Sequence, residues 1–324
     1  MNQTTRKVYL SLLNQQGQAV SGEKIAESLG ISRTAIWKSI QELKNLGYQI
    51  ESIKGSGYLL TPSDILNPDE IKHLFNQNNL IDSVFLVEKS ESTQEDAKAA
   101  LLKNTPNYAL FVARNQTVAH GRFKRAYYTE TDNGIYMSLA IKPEKSFQEM
   151  PQYTILTAVA IVSAIKKLTQ IQTKIKWVND IYLNQKKMAG ILSEATTNME
   201  SGQINHVIIG IGLNFAIQQE NFPVEIQDKA TSLFAKDNPT ITKNQLIAEI
   251  WNTFFELIDK PFIDAYKRDS FILGKSISFI KNGVEYHGIA DDISPTGELV
   301  VTLDESKKQI SLSSGEISLS HFEQ

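Results

Sequence analysis

Apolar residues in the first sixty positions recur at helical intervals and then give way to alternation. Val8, Leu12 and Leu13 share one face of a helix predicted over Arg6 to Gln15, and Ile25 and Leu29 share one face of a second over Gly22 to Leu29. Ser21 is placed to cap the second helix and Gly30 to stop it. A third helix, predicted over Arg33 to Leu46 behind Ser32, turns Ile36, Ile40, Leu43 and Leu46 inward and Arg33, Thr34, Trp37, Lys38 and Gln41 outward. Tyr48 to Ile53 and Tyr58 to Leu60 read as two short strands around Lys54-Gly55-Ser56-Gly57.

Helix, short turn, helix with a polar, basic N-terminal half, then hairpin is the order of a winged helix-turn-helix. The third helix offers Arg, Thr, Lys and Gln to base edges and phosphates. Ser21, Gly22, Arg33, Thr34, Trp37, Lys38 and Gln41 are the candidate DNA contacts. A small helical protein-interaction module is the competing reading of this pattern.

Thr61-Pro62-Ser63-Asp64 to Asn67-Pro68 supplies turn and cap residues, a linker into a helix predicted over Pro68 to Asn76. Strands are then predicted at Val84 to Glu88, Ala109 to Asn115, Gly134 to Lys142, Lys174 to Trp177, Ile181 to Leu183, Met188 to Glu194 and His206 to Leu213. Thr154 to Leu168 is apolar on almost every face, as a helix buried against a sheet should be. Thr242-Lys243-Asn244-Gln245 is a capping box opening a helix to about Asp259, with Leu246, Ile250, Phe254 and Leu257 inward. The region is α+β, with helices on a mainly antiparallel sheet. From about Phe271 short alternating strands take over, at Ser276 to Ile280, Tyr286 to Ile293, Glu298 to Leu303 and Gln309 to Leu312, which predicts a small SH3-like barrel.

Composition narrows the chemistry. The 324 residues suit two or three domains, and the absence of cysteine excludes disulfides, thiolate metal sites and Cys nucleophiles. The five histidines, His73, His120, His206, His287 and His321, lack zinc-type spacing. Without a secretory-type apolar start or a long apolar run, the expectation is a cytoplasmic protein with no membrane partner. Residues 1–60 hold seven Lys/Arg against four Glu, while the remainder holds 26 basic against 32 acidic residues. A basic head on an acidic body is consistent with a nucleic-acid-binding module joined to something else.

Within the acidic body, Ala97 to Thr129 contains no Asp or Glu but six Lys/Arg, three of them in Arg122-Phe123-Lys124-Arg125 after His120-Gly121. A glycine beside clustered cations suits a phosphate or carboxylate, although a solvated basic loop reads the same way. A second cluster, Lys176-Trp177-Val178-Asn179-Asp180 and Lys186-Lys187-Met188-Ala189-Gly190, predicts a hairpin across Asn184-Gln185-Lys186, with Leu183 opposite Lys187 and Asp180 opposite Gly190. It would set Asp180, for hydroxyls or a metal, beside Lys187, for a negative group. Gly210 and Gly212 alternate on a buried strand ending at Asn214, and a ligand or another backbone can approach there. No complete dinucleotide fingerprint, Walker sequence or His-Glu-x-x-His occurs.

The order Ser92-Thr93-Gln94, Gln116, Gly121-Arg122-x-x-Arg125, Lys176-Trp177-x-Asn179-Asp180, Lys187-x-x-Gly190 and Gly210-x-Gly212-x-Asn214 resembles the bifunctional biotin protein ligase and biotin operon repressor family along the whole chain. The resemblance implies a DNA-binding domain at 1–62, a biotin- and ATP-binding ligase domain at 63–270 and an SH3-like domain at 271–324. It implies a biotin site of Ser92, Thr93, Gln94, Gln116, His120, Gly121, Arg122, Lys187, Gly190 and Gly210, and a nucleotide site of Arg125, Trp177, Asn179, Asp180 and Asn214. Lys187, Arg122 and Asp180 are the implied catalytic residues, with Asp180 also the candidate Mg²⁺ ligand. Biotinyl-5′-AMP formed from biotin and ATP would pass its acyl group to a lysine of a biotin carboxyl carrier protein domain. It would also act as corepressor for a ligand-promoted homodimer on operator DNA.

Two alternatives remain: a ligand-responsive repressor with a weakened ligase domain, and a lipoate-type ligase with an appended regulator. The family loop usually reads Gly-Arg-Gly-Arg with a further glycine and a Trp after it. Here Ala119, His120, Lys124 and Tyr127 stand at the departing positions, which predicts a less mobile loop and weaker retention of the adenylate.

Overall fold

The computed structural model describes residues 1–15, 17–102, 108–129, 131–142, 150–197, 204–236 and 238–319. His321 and residues 103–107 of the acid-free window lie outside the described residues. The chain divides into two compact units, Met1–Leu74 with Thr242–Gln245, and Phe75–Ile241 with Leu246–Gln324.

In the first unit α1 (Gln3–Leu13), α2 (Gly22–Leu29) and α3 (Arg33–Asn45) precede a hairpin of β1 (Ile50–Ile53) and β2 (Gly57–Leu60), followed by α4 (Pro68–His73). Ser21 and Ser32 cap α2 and α3, accepting from the Lys24 and Ala35 amides, and Gly30 closes α2 in the left-handed region. Val8, Leu12, Leu13, Ile25, Ile36, Ile40 and Leu43 form the core with Tyr9, Tyr48 and Leu60. Leu46 does not join them: it is the C-cap residue and 48% exposed, because the helical stripe ends one residue before it. Buried Glu70 on α4 accepts from the Tyr9 hydroxyl at 2.6 Å, and the Arg6 guanidinium pairs with Asp69. Burial pushes both the Glu70 carboxyl and the Tyr9 phenol above their ordinary pKa values.

The second unit is built on a seven-stranded mixed sheet of β3 (Ser83–Ser90), β4 (Tyr108–Gln116), β5 (Gly134–Ile141), β6 (Lys174–Lys176), β7 (Asp180–Leu183), β8 (Lys186–Thr197) and β9 (Ile204–Asn214). Their order is β3-β4-β5-β9-β8-β7-β6, and among the described strands of this sheet β3 and β4 pair parallel while the other neighbours pair antiparallel. A parallel pair needs a crossover, which α5 (Thr93–Leu101) provides. Helix α6 (Met150–Thr169) packs along β6, β7 and β8, burying Ile155, Ile161, Ala164 and Ile165. Helices α7 (Lys243–Leu257) and α8 (Ile263–Asp269) follow; α8 escaped the sequence reading.

One predicted register is corrected. Asp180 does face Gly190, but Lys187 faces Tyr182 rather than Leu183, and Leu183 faces Lys186. The connection is a two-residue turn with Asn184 and Gln185 both at positive φ, and a register shift after Ile181 restores the Asp180 pairing.

The C-terminal part is a five-stranded antiparallel sheet of β10 (Ser276–Lys281), β11 (Val284–Ile293), β12 (Leu299–Leu303), β13 (Gln309–Leu312) and β14 (Ile317–Leu319), in the order β13-β12-β11-β10-β14. The β14 segment was not anticipated. The buried Trp177 indole donates to the Gly297 carbonyl at 3.0 Å, fixing the turn before β12 to the start of the β7 region. Among the described residues no helix is long and apolar enough to cross a membrane.

Candidate functional site

Across one face of the large sheet, register sets Lys176 opposite Asp180, Asp180 opposite Gly190, Gly190 opposite Gly212 and Gly212 opposite Tyr136. Two residues along, Leu192, Gly210 and Ser138 form a parallel row. Directly opposed residues point to the same side of a sheet, so the glycines lower the floor while flanking side chains rise beside it. Over this floor lies a cavity of about 150 Å³, lined by residues of α5, β4, the 119–127 loop, β6 to β9 and the segment between β13 and β14.

At the Gly210 end the wall is polar and neutral. Ser92, Thr93, Gln94 and Gln116 are each buried, and Ser92 heads α5 without a capping hydrogen bond from its side chain. Gln116 Oε1 accepts from the Thr93 amide at 2.7 Å, which leaves the Gln116 NH₂ as the free end of its amide. Thr93 Oγ1 lies 2.8 Å from Ser138 Oγ. Gln94 donates to the Leu192 carbonyl at 3.1 Å and to Glu194 at 3.0 Å, and it lies directly over Gly210, where a Cβ would stand 3.0 Å from its amide carbon.

The Gly190 end is charged. Lys187 Nζ stands 2.6 Å from Asp180 Oδ1 and reaches over Gly190. Asn179 donates to the Ile191 carbonyl at 2.9 Å, leaving its oxygen to accept from Arg122 Nη1 at 3.2 Å. Arg122 also donates to the Gly315 carbonyl at 3.1 Å, and Arg125 pairs with Glu316. Burial lowers the pKa of Arg122 and of Lys176, while the Asp180 charge opposes both shifts. Burial also pushes the neighbouring Tyr182 phenol up to about 12.

The 119–127 loop folds into a tight reversal. His120 bridges Ala126, the Gly121 amide donates to the Arg125 carbonyl at 2.8 Å, and the Tyr127 amide donates to the Ala119 carbonyl at 3.0 Å. Phe123 and Lys124 both take positive φ, 56° and 55°. Tyr127 then covers the glycine floor, its hydroxyl donating to the Gly212 carbonyl at 2.8 Å.

All the expected biotin and nucleotide residues except Asn214 line this one cavity. Asn214 lies behind Tyr127, donating to the Thr231 carbonyl at 3.0 Å. Trp177 contributes a buried ring whose N–H is already engaged. Tyr127, Lys176 and Glu316 line the site without having been assigned to it from sequence. For Tyr127 the available signal was the glycine pair, which leaves room for a ring. At the head of the molecule Arg33, Thr34, Trp37 and Lys38 are exposed and Gln41 is half-buried, while Arg33 pairs with Glu23. Ser21 caps α2, and Gly22 is packed against Tyr58.

Comparison with known proteins gives three family matches: the biotin/lipoate A/B protein ligase family over residues 86–214, an HTH domain over 5–59, and the biotin protein ligase C-terminal domain over 272–320. The chain is 39% identical to the bifunctional ligase/repressor BirA of Bacillus spizizenii over 252 residues, 77% of each chain. It is 26% identical to the bifunctional ligase/repressor BirA of Escherichia coli over 312 residues, 94% of each. Its fold resembles that of a biotin protein ligase from Aquifex aeolicus solved with biotin and ATP, with a TM-score of 0.62 at 22% identity, covering 74% of this chain and 99% of that one.

Proposed function

The chain belongs to the bifunctional ligase/repressor family of biotin protein ligases, and from that premise we propose how its residues divide the work. The protein activates biotin with ATP to biotinyl-5′-AMP, transfers the acyl group to a protein lysine, and represses transcription through its HTH domain. One observation carries the assignment of the site: a neutral polar wall at Gly210 and a cationic wall at Gly190 face one cavity. Biotin has that polarity, with a neutral ureido ring at one end and a carboxylate at the other.

The ureido ring belongs at the Gly210 end. The Gln116 NH₂, held by the Thr93 amide, donates to the ureido oxygen, and the Ser92, Thr93 and Gln94 side chains supply the remaining polar partners. His120, Gly121 and Arg122 close over the ring and chain from the loop side, while Gly210 and Gly190 leave the floor open. Lys187 draws the carboxylate toward the α-phosphate, and Arg122 offsets the repulsion between the two anions. A carboxylate oxygen attacks the α-phosphorus, the bond to the β-phosphate oxygen breaks, and pyrophosphate leaves with the bonding electrons.

Arg125, Trp177, Asn179, Asp180 and Asn214 form the nucleotide side. Among the described residues no group of three acidic, His or Cys side chains could hold a metal by itself. Asp180 suits Mg²⁺, which binds through one or two carboxylates with substrate phosphates completing its shell. When bound there, Mg²⁺ would neutralise phosphate charge. The cavity of about 150 Å³ is below the roughly 300 Å³ at which ligand pockets begin, so the loop and Tyr127 move to admit both substrates. Once reordered, the loop excludes water from a reactive mixed anhydride.

The acyl acceptor is a lysine of a biotin carboxyl carrier protein domain in the cytoplasm, where ATP and operator DNA are also met. Ser21, Gly22, Arg33, Thr34, Trp37, Lys38 and Gln41 present the DNA-facing surface within residues 1–62. Residues 63–270 carry the ligase and residues 271–324 the SH3-like domain. Biotinyl-5′-AMP promotes a homodimer that reads a two-fold operator, since one module contacts too few base pairs for tight binding.

Incubation with ATP, biotin and a carrier domain tests the reading. Biotinylated carrier is expected; an unmodified carrier leaves the repressor alone, and preference for lipoate over biotin makes it a lipoate-type ligase. A gel shift with and without biotin plus ATP tests the corepressor, and equal affinity in the two conditions removes it.

A further inference from the structure

The turn between β6 and β7 presents Trp177 and Asn179 to the cavity just before Asp180, and each of its three residues is tied to a different element. The Trp177 indole reaches the Gly297 carbonyl at 3.0 Å. Asn179 is bonded to Ile191 on β8 in both directions: its side chain donates to the Ile191 carbonyl at 2.9 Å, and its own carbonyl accepts from the Ile191 amide at 3.0 Å. Val178, between them, is buried, and its carbonyl accepts from the Tyr266 hydroxyl on α8 at 3.0 Å.

Tyr266 is suited to that one bond. Its ring is fully buried, and burial together with the Asp180 charge holds the phenol well above its ordinary pKa, so the hydroxyl keeps the proton it donates. Helix α8 is itself fixed to the outer edge of β6: just past its end Ser270 runs parallel beside Ile175, and the Phe271 amide donates to the Ile175 carbonyl at 3.1 Å. The Val178 carbonyl and the Asn179 amide belong to one planar peptide unit, so a bond to the first sets the plane of the second. Asn179 is thereby held from both sides, by Tyr266 before it and Ile191 after it, with its Oδ1 turned to Arg122 at 3.2 Å. A buried carbonyl that loses its partner turns toward another donor or toward water, and its peptide plane turns with it.

We propose that Tyr266 is a positioning residue for the nucleotide half of the site, fixing the Val178–Asn179 peptide so that Asn179 and Asp180 meet ATP in one arrangement. Tyr266 lies outside the cavity lining, so it acts through the turn and not on a substrate. The proposal rests on the ligase reading above and deepens it, since that reading gives the turn to the nucleotide without saying what holds it in place.

The test compares the full-length protein with two variants. Tyr266→Phe removes one oxygen and keeps the ring; Thr157→Val removes a buried hydroxyl from α6, where it donates to the Tyr153 carbonyl at 2.6 Å outside the cavity lining. In Tyr266→Phe the KM for ATP in biotinyl-5′-AMP formation should rise about fivefold or more, the scale of one ordinary hydrogen bond. Biotin affinity, measured by equilibrium dialysis without ATP, should stay within about twofold, because the Gly210 end of the floor is untouched. Thr157→Val should leave both quantities within about twofold of the parent. An ATP KM within about twofold of the parent in Tyr266→Phe overturns the proposal. So does a fall in kcat at unchanged KM, the mark of fewer folded molecules, or an equal loss of ATP and biotin affinity, or a matching rise of ATP KM in Thr157→Val. If the unsubstituted protein forms no biotinyl-5′-AMP, the ligase reading itself has failed, an outcome separate from these.

Discussion

The Tyr127 hydroxyl donates to the Gly212 carbonyl at 2.8 Å, and a Cβ added to Gly212 would stand 2.6 Å from the Tyr127 ring. The ring therefore rests where the floor has no side chain. Gly212→Ala should expel it, at a cost of about 1–3 kcal/mol to stability as overpacking, measured by urea denaturation. ATP KM should rise more than biotin KM, since the Gly210 end of the floor is untouched. Tyr127→Phe should keep the ring in place and loosen only its tether, giving a much smaller effect.

Removing the Lys187 charge should affect chemistry more than folding. Lys187→Met leaves Asp180 without its 2.6 Å partner and the two reacting anions without a shared cation. Adenylate formation should drop by about a hundredfold or more, the scale seen when a transition-state charge partner is removed. A single-turnover assay checks this, and retention of near-parental rates would reassign the lysine.

Lys124 occupies the left-handed region at φ 55°, where a side chain costs about 1 kcal/mol and glycine almost nothing. Lys124→Gly should relax the turn and slow release of bound biotinyl-5′-AMP. A dissociation rate unchanged or faster in the variant would show that loop strain does not govern retention.

Glu70 gives the first unit a pH dependence of definite sign. Burial raises its folded-state pKa above the ordinary 4.5, so the proton is bound more tightly when folded. Its contribution to stability is complete below the unfolded pKa and is lost as pH rises through the folded value. Glu70→Gln keeps an acceptor for Tyr9 and removes the charge, so the variant should be more stable than the parent near pH 7, with the advantage vanishing below about pH 4. Denaturation midpoints across that range decide it.

On the third helix, Lys38 is exposed and makes no ion pair among the described residues, whereas Arg33 is held by Glu23. Lys38→Ala should weaken operator binding and non-specific DNA binding alike and reduce the salt slope by about one. Glu23→Gln should release Arg33 and strengthen both. Fluorescence anisotropy at several salt concentrations separates these outcomes.

The head was legible because Ile25, Ile36, Ile40 and Leu43 mark one face at strong periodicity and Ser21, Ser32 and Gly30 mark the ends. The bulge near Lys187 was not, because the turn type at Asn184-Gln185 fixes the local register and the Asp180–Gly190 pairing must absorb the difference. Strand β14 is only three residues long, too short for alternation to be recognised. Its preceding turn nevertheless brings Gly315 to Arg122, 193 residues away along the chain, a contact that no local pattern encodes. Lys176 was visible as part of a motif, but its place opposite Asp180 at the edge of the sheet emerges only when the strands are laid side by side.

Three cations of the cleft hold partners within the protein: Lys187 has Asp180, Arg125 has Glu316, and Arg122 has the Asn179 and Gly315 oxygens. A phosphate that binds here exchanges one of these partners for its own oxygens. A polyanion arriving with a carboxylate neighbour can exchange several at once. Binding there is therefore an exchange of partners rather than the filling of a bare charge, and it takes place beneath Tyr127, which covers the glycine floor.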